Sequence, residues 1–279
     1  MDIQVLINWL DDPNRAADPL RRWGIENVER AHGNLLRLAE SGVTLDLLVE
    51  ICRQLQAIMP GLSDPDMALN NLERFFSASR NPLSLASLLE RDATALPTLL
   101  QMFSTSQYMS DWLIRDPATF DLLRITEGQP ISREVLTEEV CGEVAIARDE
   151  AMVMQTLRRY KHRETLRIAY GDIVRGQDIS VVTRQISYLA DAICEAALRY
   201  ARATIESRFG SPINAEDQPA QLVILGLGKL GGEELNYSSD IDLIFVSESD
   251  GMTRGPKSIE NHEYFERVAR LFCKLLSES

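Results

Sequence analysis

Cysteine and histidine are scarce in this chain, basic charge is outnumbered and no long apolar run occurs; each shortage closes off a class of function. Four cysteines, Cys52, Cys141, Cys194 and Cys273, stand far apart with no C-x-x-C pair, and only three histidines accompany them. Neither a zinc site nor a disulfide framework is indicated, and reduced core thiols are expected. No segment approaches the roughly eighteen uninterrupted apolar residues of a membrane span. The start Met1-Asp-Ile-Gln lacks the basic-then-apolar layout of a secretory signal. A cytoplasmic chain with no membrane partner is therefore expected. Lys and Arg number 29 against 42 Asp and Glu, a net charge of −13, which argues against nonspecific nucleic-acid binding. What is present is 279 residues, 45% of them hydrophobic, enough for a substantial core and for about two domains.

The region before residue 214 reads as helical, residues 1–213 forming one domain. Apolar spacing predicts a helix from about Ile25 to Glu40, stopped at Gly42. A second starts at a Thr44 cap and runs until Pro60-Gly61, and a third opens at Ser63-Asp-Pro-Asp and continues through Phe75-Phe76. Shorter elements are expected around Leu83 to Leu89, Leu96 to Phe103 and Tyr108 to Ile114. Two long helices follow, from about Glu138 to Tyr170 and from about Ser180 to Arg208, the second with Val182, Ile186, Leu189 and Ile193 facing inward. Gly210-Ser-Pro212 ends the helical region, and the polar stretch 214–220 leads into the second domain, residues 214–279. No internal repeat is evident.

The most informative segment runs from Leu222 to Phe245. Leu222 to Leu227 is a short apolar run bounded by glycine, which reads as a buried strand. Glycines at 226, 228, 231 and 232 then permit a sharp turn whose bare amides can approach an anion. The chain is expected to re-enter a strand at Asp240, where side-chain alternation places Asp240 and Asp242 on one face and Ile241, Leu243 and Phe245 on the other. Paired hard carboxylates of this kind suit Mg²⁺, which is commonly held by one or two carboxylates together with substrate phosphates. A dinucleotide fingerprint, Gly226-x-Gly228-x-x-Gly231, is formally present. It requires a crossover helix, and only eight residues separate the turn from the next strand. A Walker loop would need Ser or Thr after Lys229, where Leu230 stands. The plain alternative is a tight turn between two core strands with solvated aspartates.

The remaining reading is a nucleotidyltransferase palm, in which a strand and glycine turn lead to a strand beginning Asp-x-Asp. From Gly228 to Phe245 the run Gly-Lys-Leu-Gly-Gly-x-Glu-Leu-Asn-Tyr-x-Ser-Asp-Ile-Asp-Leu-Ile-Phe is similar to the signature of the glutamine synthetase adenylyltransferase/adenylyl-removing family. Segments at 106–117, 157–168 and 263–271 resemble the family more weakly. The resemblance implies an α+β, predominantly α fold: a multi-helix N-terminal region followed by the start of a polymerase-beta-like palm. It implies catalytic and metal-binding roles for Asp240 and Asp242 with Mg²⁺. On this reading nucleotide or phosphate contacts are expected from Gly228, Lys229, Gly231 and Gly232, and Ser239 either offers its hydroxyl to phosphate or serves as a hydrogen-bonding residue at the strand entry. Glutamine synthetase would be the protein substrate, ATP, ADP and phosphate the small ones, and a PII-type nitrogen regulatory protein a further partner. Family members carry two palms, one removing AMP from a tyrosine and one attaching it. Leu-Asn-Tyr-Ser-Ser-Asp resembles the first, adenylyl-removing half, with attachment or a docking fragment as the alternatives. Family palms take a third carboxylate from a later strand. After Asp242 only thirty-seven residues remain, read as a polar loop 247–258 and a helix from Ile259 to about Leu276, so no later strand and an incomplete site in a fragment are expected.

The one basic concentration is Arg158-Arg159-Tyr-Lys161-His162-Arg163 with Arg167 beyond it. On a helix Arg159, Arg163 and Arg167 share a face. They either pair with acids such as Glu164 or lean over the palm towards phosphates. Lys229 either contacts a phosphate or projects into solvent. Glu233, Glu234 and Asn236 are expected to shape the turn, and His162 and His262 to be solvated or at the core edge.

Overall fold

The computed structural model describes residues 1–248 and 250–277. They divide into two compact units, Met1–Gly128 with Ala169–Gly176, and Gln129–Ile168 with Gln177–Ser279. The fold is α+β and predominantly α.

The first unit is all helical: α1 (Ile3–Asp11), α2 (Pro13–Arg22), α3 (Val28–Glu40), α4 (Leu45–Ile58), α5 (Pro65–Ala78), α6 (Pro82–Arg91), α7 (Ala95–Thr105), α8 (Gln107–Arg115) and α9 (Thr119–Thr126). Short polar side chains cap several of these helices, satisfying first amides that the helix leaves free. Asp64 accepts from the Met67 amide at 2.8 Å and Asn81 from the Ser84 amide at 3.0 Å, each just before a proline at the first helical position. Thr44 occupies the cap position of α4 without a side-chain hydrogen bond. The core is aromatic at its centre, where Phe75 meets Phe103 and Phe120 edge-to-face at 5.6 and 6.0 Å. Helices α1, α2 and α9 were not anticipated; they are short, and α2 carries Pro19 within it.

The second unit contains α10 (Arg133–Ala145), α11 (Glu150–Ile173, whose last residues belong to the first unit), α12 (Ile179–Phe209), β1 (Ser211–Ile213), β2 (Leu222–Gly226), a helical turn α13 (Gly228–Gly231), β3 (Leu243–Ser247), β4 (Met252–Arg254) and α14 (Asn261–Ser277). The single helix expected from Glu138 to Tyr170 is two. Asp149 turns its carboxylate onto the Met152 amide at 2.8 Å, and a side chain that caps a new helix competes with continuation of the old one.

The strands form two antiparallel pairs. In one, β2 and β3 run with Leu222 opposite Ser247 and Gly226 opposite Leu243. In the other, β1 pairs with β4. The expectation of no strand after the acid pair is corrected by β4; three-residue strands pairing across some forty residues leave no periodic trace. Its residues, Met252, Thr253 and Arg254, supply no carboxylate.

One face of the β2–β3 hairpin packs on the core. Leu222 is buried, and Ile224, Leu243 and Phe245 pack against a cluster that includes Ala196, Val268 and Phe272, Phe245 meeting Phe272 edge-to-face at 5.5 Å. The opposite face carries the exposed side chains of Val223, Leu225, Leu227, Ile244 and Val246. Cys52 is buried, and burial pushes its thiol up to about 12. Cys273 is exposed, against the expectation that all four thiols lie in the core. Among the described residues no helix is long and apolar enough to cross a membrane.

Candidate functional site

The turn between β2 and the acid pair is built on close approach as much as on backbone freedom. A Cβ on Gly231 would lie 2.6 Å from the Gly226 carbonyl oxygen, and one on Gly226 would lie 3.0 Å from the Leu230 side chain. A Cβ at 231 would clash with backbone and one at 226 would press on the Leu230 side chain, so the helical turn α13 seats directly against the end of β2, with Leu230 buried beneath it. Gly228 adopts φ +56°, the left-handed region that glycine enters without penalty. An ideal Cβ there would sit 3.9 Å from an Asp242 carboxylate oxygen, so the turn and the second aspartate are neighbours.

The amides of Gly231 and Gly232 donate to the carbonyls of Leu227 at 3.3 Å and Gly228 at 3.1 Å. They are spent inside the turn. The amides that helix geometry leaves over are those of its first turn, at Gly228, Lys229 and Leu230.

Asp240 and Asp242 precede the strand, which begins at Leu243 rather than at Asp240. Even so, the Leu227 amide donates to the Asp242 carbonyl at 2.9 Å, prolonging the ladder by one residue. The alternation holds through the segment: Ile241, Leu243 and Phe245 are partly buried, while Asp240 and Asp242 are exposed. Among the described residues, neither carboxylate takes an ion pair or a hydrogen bond from protein. Two hard, exposed oxygen donors without protein partners match what Mg²⁺ takes from a protein when phosphates and water supply the rest. No cluster of three or more acidic, histidine or cysteine ligands exists among the described residues.

The loop from Glu233 to Asp240 is pinned at several points. Asn236 Oδ1 accepts from Ser239 Oγ at 2.7 Å and from the Ser238 amide at 3.2 Å. Lys229 Nζ stands 3.5 Å from Ser239 Oγ, which brings two of the anticipated phosphate contacts together. Leu235 is buried, and its amide donates to the Oγ of the fully buried Ser187 at 3.2 Å. Glu233 takes Arg133 at 2.6 Å and Arg184 at 3.6 Å. Sequence spacing pointed to neither arginine, since each meets the loop from a distant helix.

The arginines of the basic face on α11 are paired with acids of the second unit. Arg159 pairs with Glu143 at 3.1 Å, and Arg163 with Glu143 at 2.9 Å and Glu164 at 3.1 Å. Arg167, 1% exposed, is held by Glu164 at 2.6 Å, the Gln129 carbonyl at 2.5 Å and Gln185 at 3.0 Å. The expected pairing with Glu164 is found for Arg163 and for the buried Arg167, while the exposed Arg159 pairs with Glu143.

Comparison with known proteins bears on the site as a whole. A family model described as glutamate-ammonia ligase adenylyltransferase matches residues 96–279. Three similar proteins are each called bifunctional glutamine synthetase adenylyltransferase/adenylyl-removing enzyme. That of Thioalkalivibrio sulfidiphilus is 33% identical over 199 residues, covering 69% of this chain and 20% of the relative. That of Shewanella loihica is 34% identical over 183 residues, covering 64% and 19%. That of Pseudomonas putida is 36% identical over 182 residues, covering 63% and 18%. The chain spans about a fifth of the length of these relatives.

Proposed function

The chain belongs to the glutamate-ammonia ligase adenylyltransferase family, and from that premise we propose that its glycine turn and acid pair form a nucleotidyltransferase site acting on glutamine synthetase. The observation that carries the reading is the juxtaposition of the Gly228 turn with two partnerless carboxylates, Asp242 lying against Gly228 itself. In this reading Asp240 and Asp242 hold Mg²⁺, which when bound neutralises phosphate charge and aligns the attacking and leaving oxygens. The amides of Gly228 and Lys229 and the Lys229 ammonium orient the phosphates, with Ser239 holding Lys229 in place. Gly231 and Gly232 contribute through the shape of the turn, since their own amides are occupied.

The reaction we assign is phosphorolytic removal of AMP. An oxygen of inorganic phosphate attacks the AMP phosphorus, the bond to the tyrosine oxygen breaks, and ADP and free tyrosine result. The turn's similarity to the first family palm supports this direction. The description of the matching family, an adenylyltransferase, supports the reverse assignment, in which a tyrosine hydroxyl attacks the α-phosphate of ATP and pyrophosphate leaves. Two incubations separate them. ADP release from adenylylated glutamine synthetase and phosphate marks removal; pyrophosphate release from the unmodified enzyme and ATP marks attachment. Nucleotide bound with neither product formed would identify a binding module instead.

A further inference from the structure

Glu233 is one of three non-glycine residues with a left-handed backbone among the described residues, at φ +56°. Such a conformation persists where the surroundings over-determine it. Here they do: its carboxylate is gripped by Arg133 from the start of α10 and by Arg184 from α12. Arg133 is itself fixed, its Nε 3.1 Å from Asp191 and its guanidinium 4.6 Å from the centre of the Tyr188 ring. Two residues further on, Leu235 is tied to Ser187 of the same helix. The chain then has only Asn236 to Ser239 to cross before Asp240.

We propose that Arg133 and Glu233 are positioning residues, a clamp by which α10 and α12 set the loop that presents Asp240 to the bound ion and phosphates. The inference rests on the nucleotidyltransferase reading of the acid pair. Arg133 donates through Nη2 to Glu233 at 2.6 Å, while its buried Nε faces Asp191 at 3.1 Å as an ion pair without a hydrogen bond; a lysine's point charge lacks the planar guanidinium that spans both carboxylates. A cleft of about 500 Å³ in this unit is lined by Arg133 and Asp191 of the clamp and by Gly226 and Leu230 of the turn. It is therefore part of the same device and no separate site.

The test compares the wild-type chain with Glu233→Gln and Arg133→Lys by amide hydrogen exchange over 234–242, by the Mg²⁺ concentration that half-saturates the stabilisation given by ADP, and by urea unfolding without ligand. Both variants should exchange this loop about tenfold faster and need about tenfold more Mg²⁺, with the urea midpoint almost unmoved. Arg184→Gln, whose contact is longer, should do less. A fall in urea midpoint that accounts for the whole change in Mg²⁺ requirement would mean a merely structural contact and overturn the proposal. Unchanged exchange in Glu233→Gln overturns it too, whatever the nucleotide does. A wild type that responds to Mg²⁺ and ADP, with variants that respond equally, removes the clamp and leaves the nucleotidyltransferase reading standing. A wild type with no response removes both.

Discussion

Alanine introduced at Gly231 and at its neighbour Gly232 should have opposite effects, although the two substitutions are chemically identical. At 231 the new Cβ would lie 2.6 Å from the Gly226 carbonyl oxygen. Ordinary contact is about 3.5 Å, so backbone must retreat by roughly 0.9 Å. Overpacking of this kind costs about 1–3 kcal/mol, offset by about 0.4–1 kcal/mol because alanine has less freedom to lose on folding. At 232 the nearest atom is at 3.6 Å and φ is −89°, so only the gain remains. The pair should therefore differ by about 2 kcal/mol, or about 4–8 °C in melting temperature for a unit of this size. Gly226 ends β2 opposite Leu243, next to Asp242, so the Gly231→Ala displacement should also weaken ADP binding in the presence of Mg²⁺, while Gly232→Ala leaves it intact. Differential scanning calorimetry of the two variants decides the matter. Equal melting temperatures, or a Gly231→Ala protein more stable than wild type, would refute the close-approach argument.

Arg167→Met should destabilise the second unit by about 3 kcal/mol in urea unfolding, since it leaves the buried Glu164 with Arg163 as its remaining partner. Adding Glu164→Leu should recover most of that loss, and a single variant costing under about 1 kcal/mol would contradict the buried pair. In the first unit, the Asp92 carboxyl is held down at about 2 by the Thr94 hydroxyl and amide and by Arg124. A folded pKa below the unfolded one stabilises above about pH 4, and the contribution disappears as pH falls through about 2. Asp92→Asn should thus cost about 1 kcal/mol at pH 7, discounted for the partly exposed carboxylate, and nothing below pH 2; a difference that is flat across this range would refute the assignment.

The parts of the fold legible in the sequence were those with local causes. Helices such as α5 and α6 announce themselves through an Asp or Asn cap and a following proline, and the alternation from Ile241 to Phe245 survives intact in the structure. Features that depend on distant partners were not legible. The short strands β1 and β4 pair across some forty residues, with further bridges to Pro219 and Glu260. The α11 arginines could not be told from a phosphate-binding face without the positions of Glu143, Glu164 and Gln129. The glycine turn was partly read. Its sharpness and proximity to the acid pair follow from its residues, but Gly226 and Gly231 are needed because backbone and side chain meet there, which spacing does not reveal. Arg133, one hundred residues from Glu233, left no signal at all.

The most direct measurement is the melting temperature of the chain with ADP or ATP, each with and without Mg²⁺, beside Asp240→Asn and Asp242→Asn. Both carboxylates are exposed and, among the described residues, free of protein partners, so the variants should fold as the wild type does. Nucleotide at about one hundred times its dissociation constant should stabilise the wild type by about 2.7 kcal/mol, only with Mg²⁺ present, and neither variant should respond. A shift of equal size in the variants, or no shift in the wild type at any nucleotide concentration, would contradict the assignment of the glycine turn and acid pair as the nucleotide site.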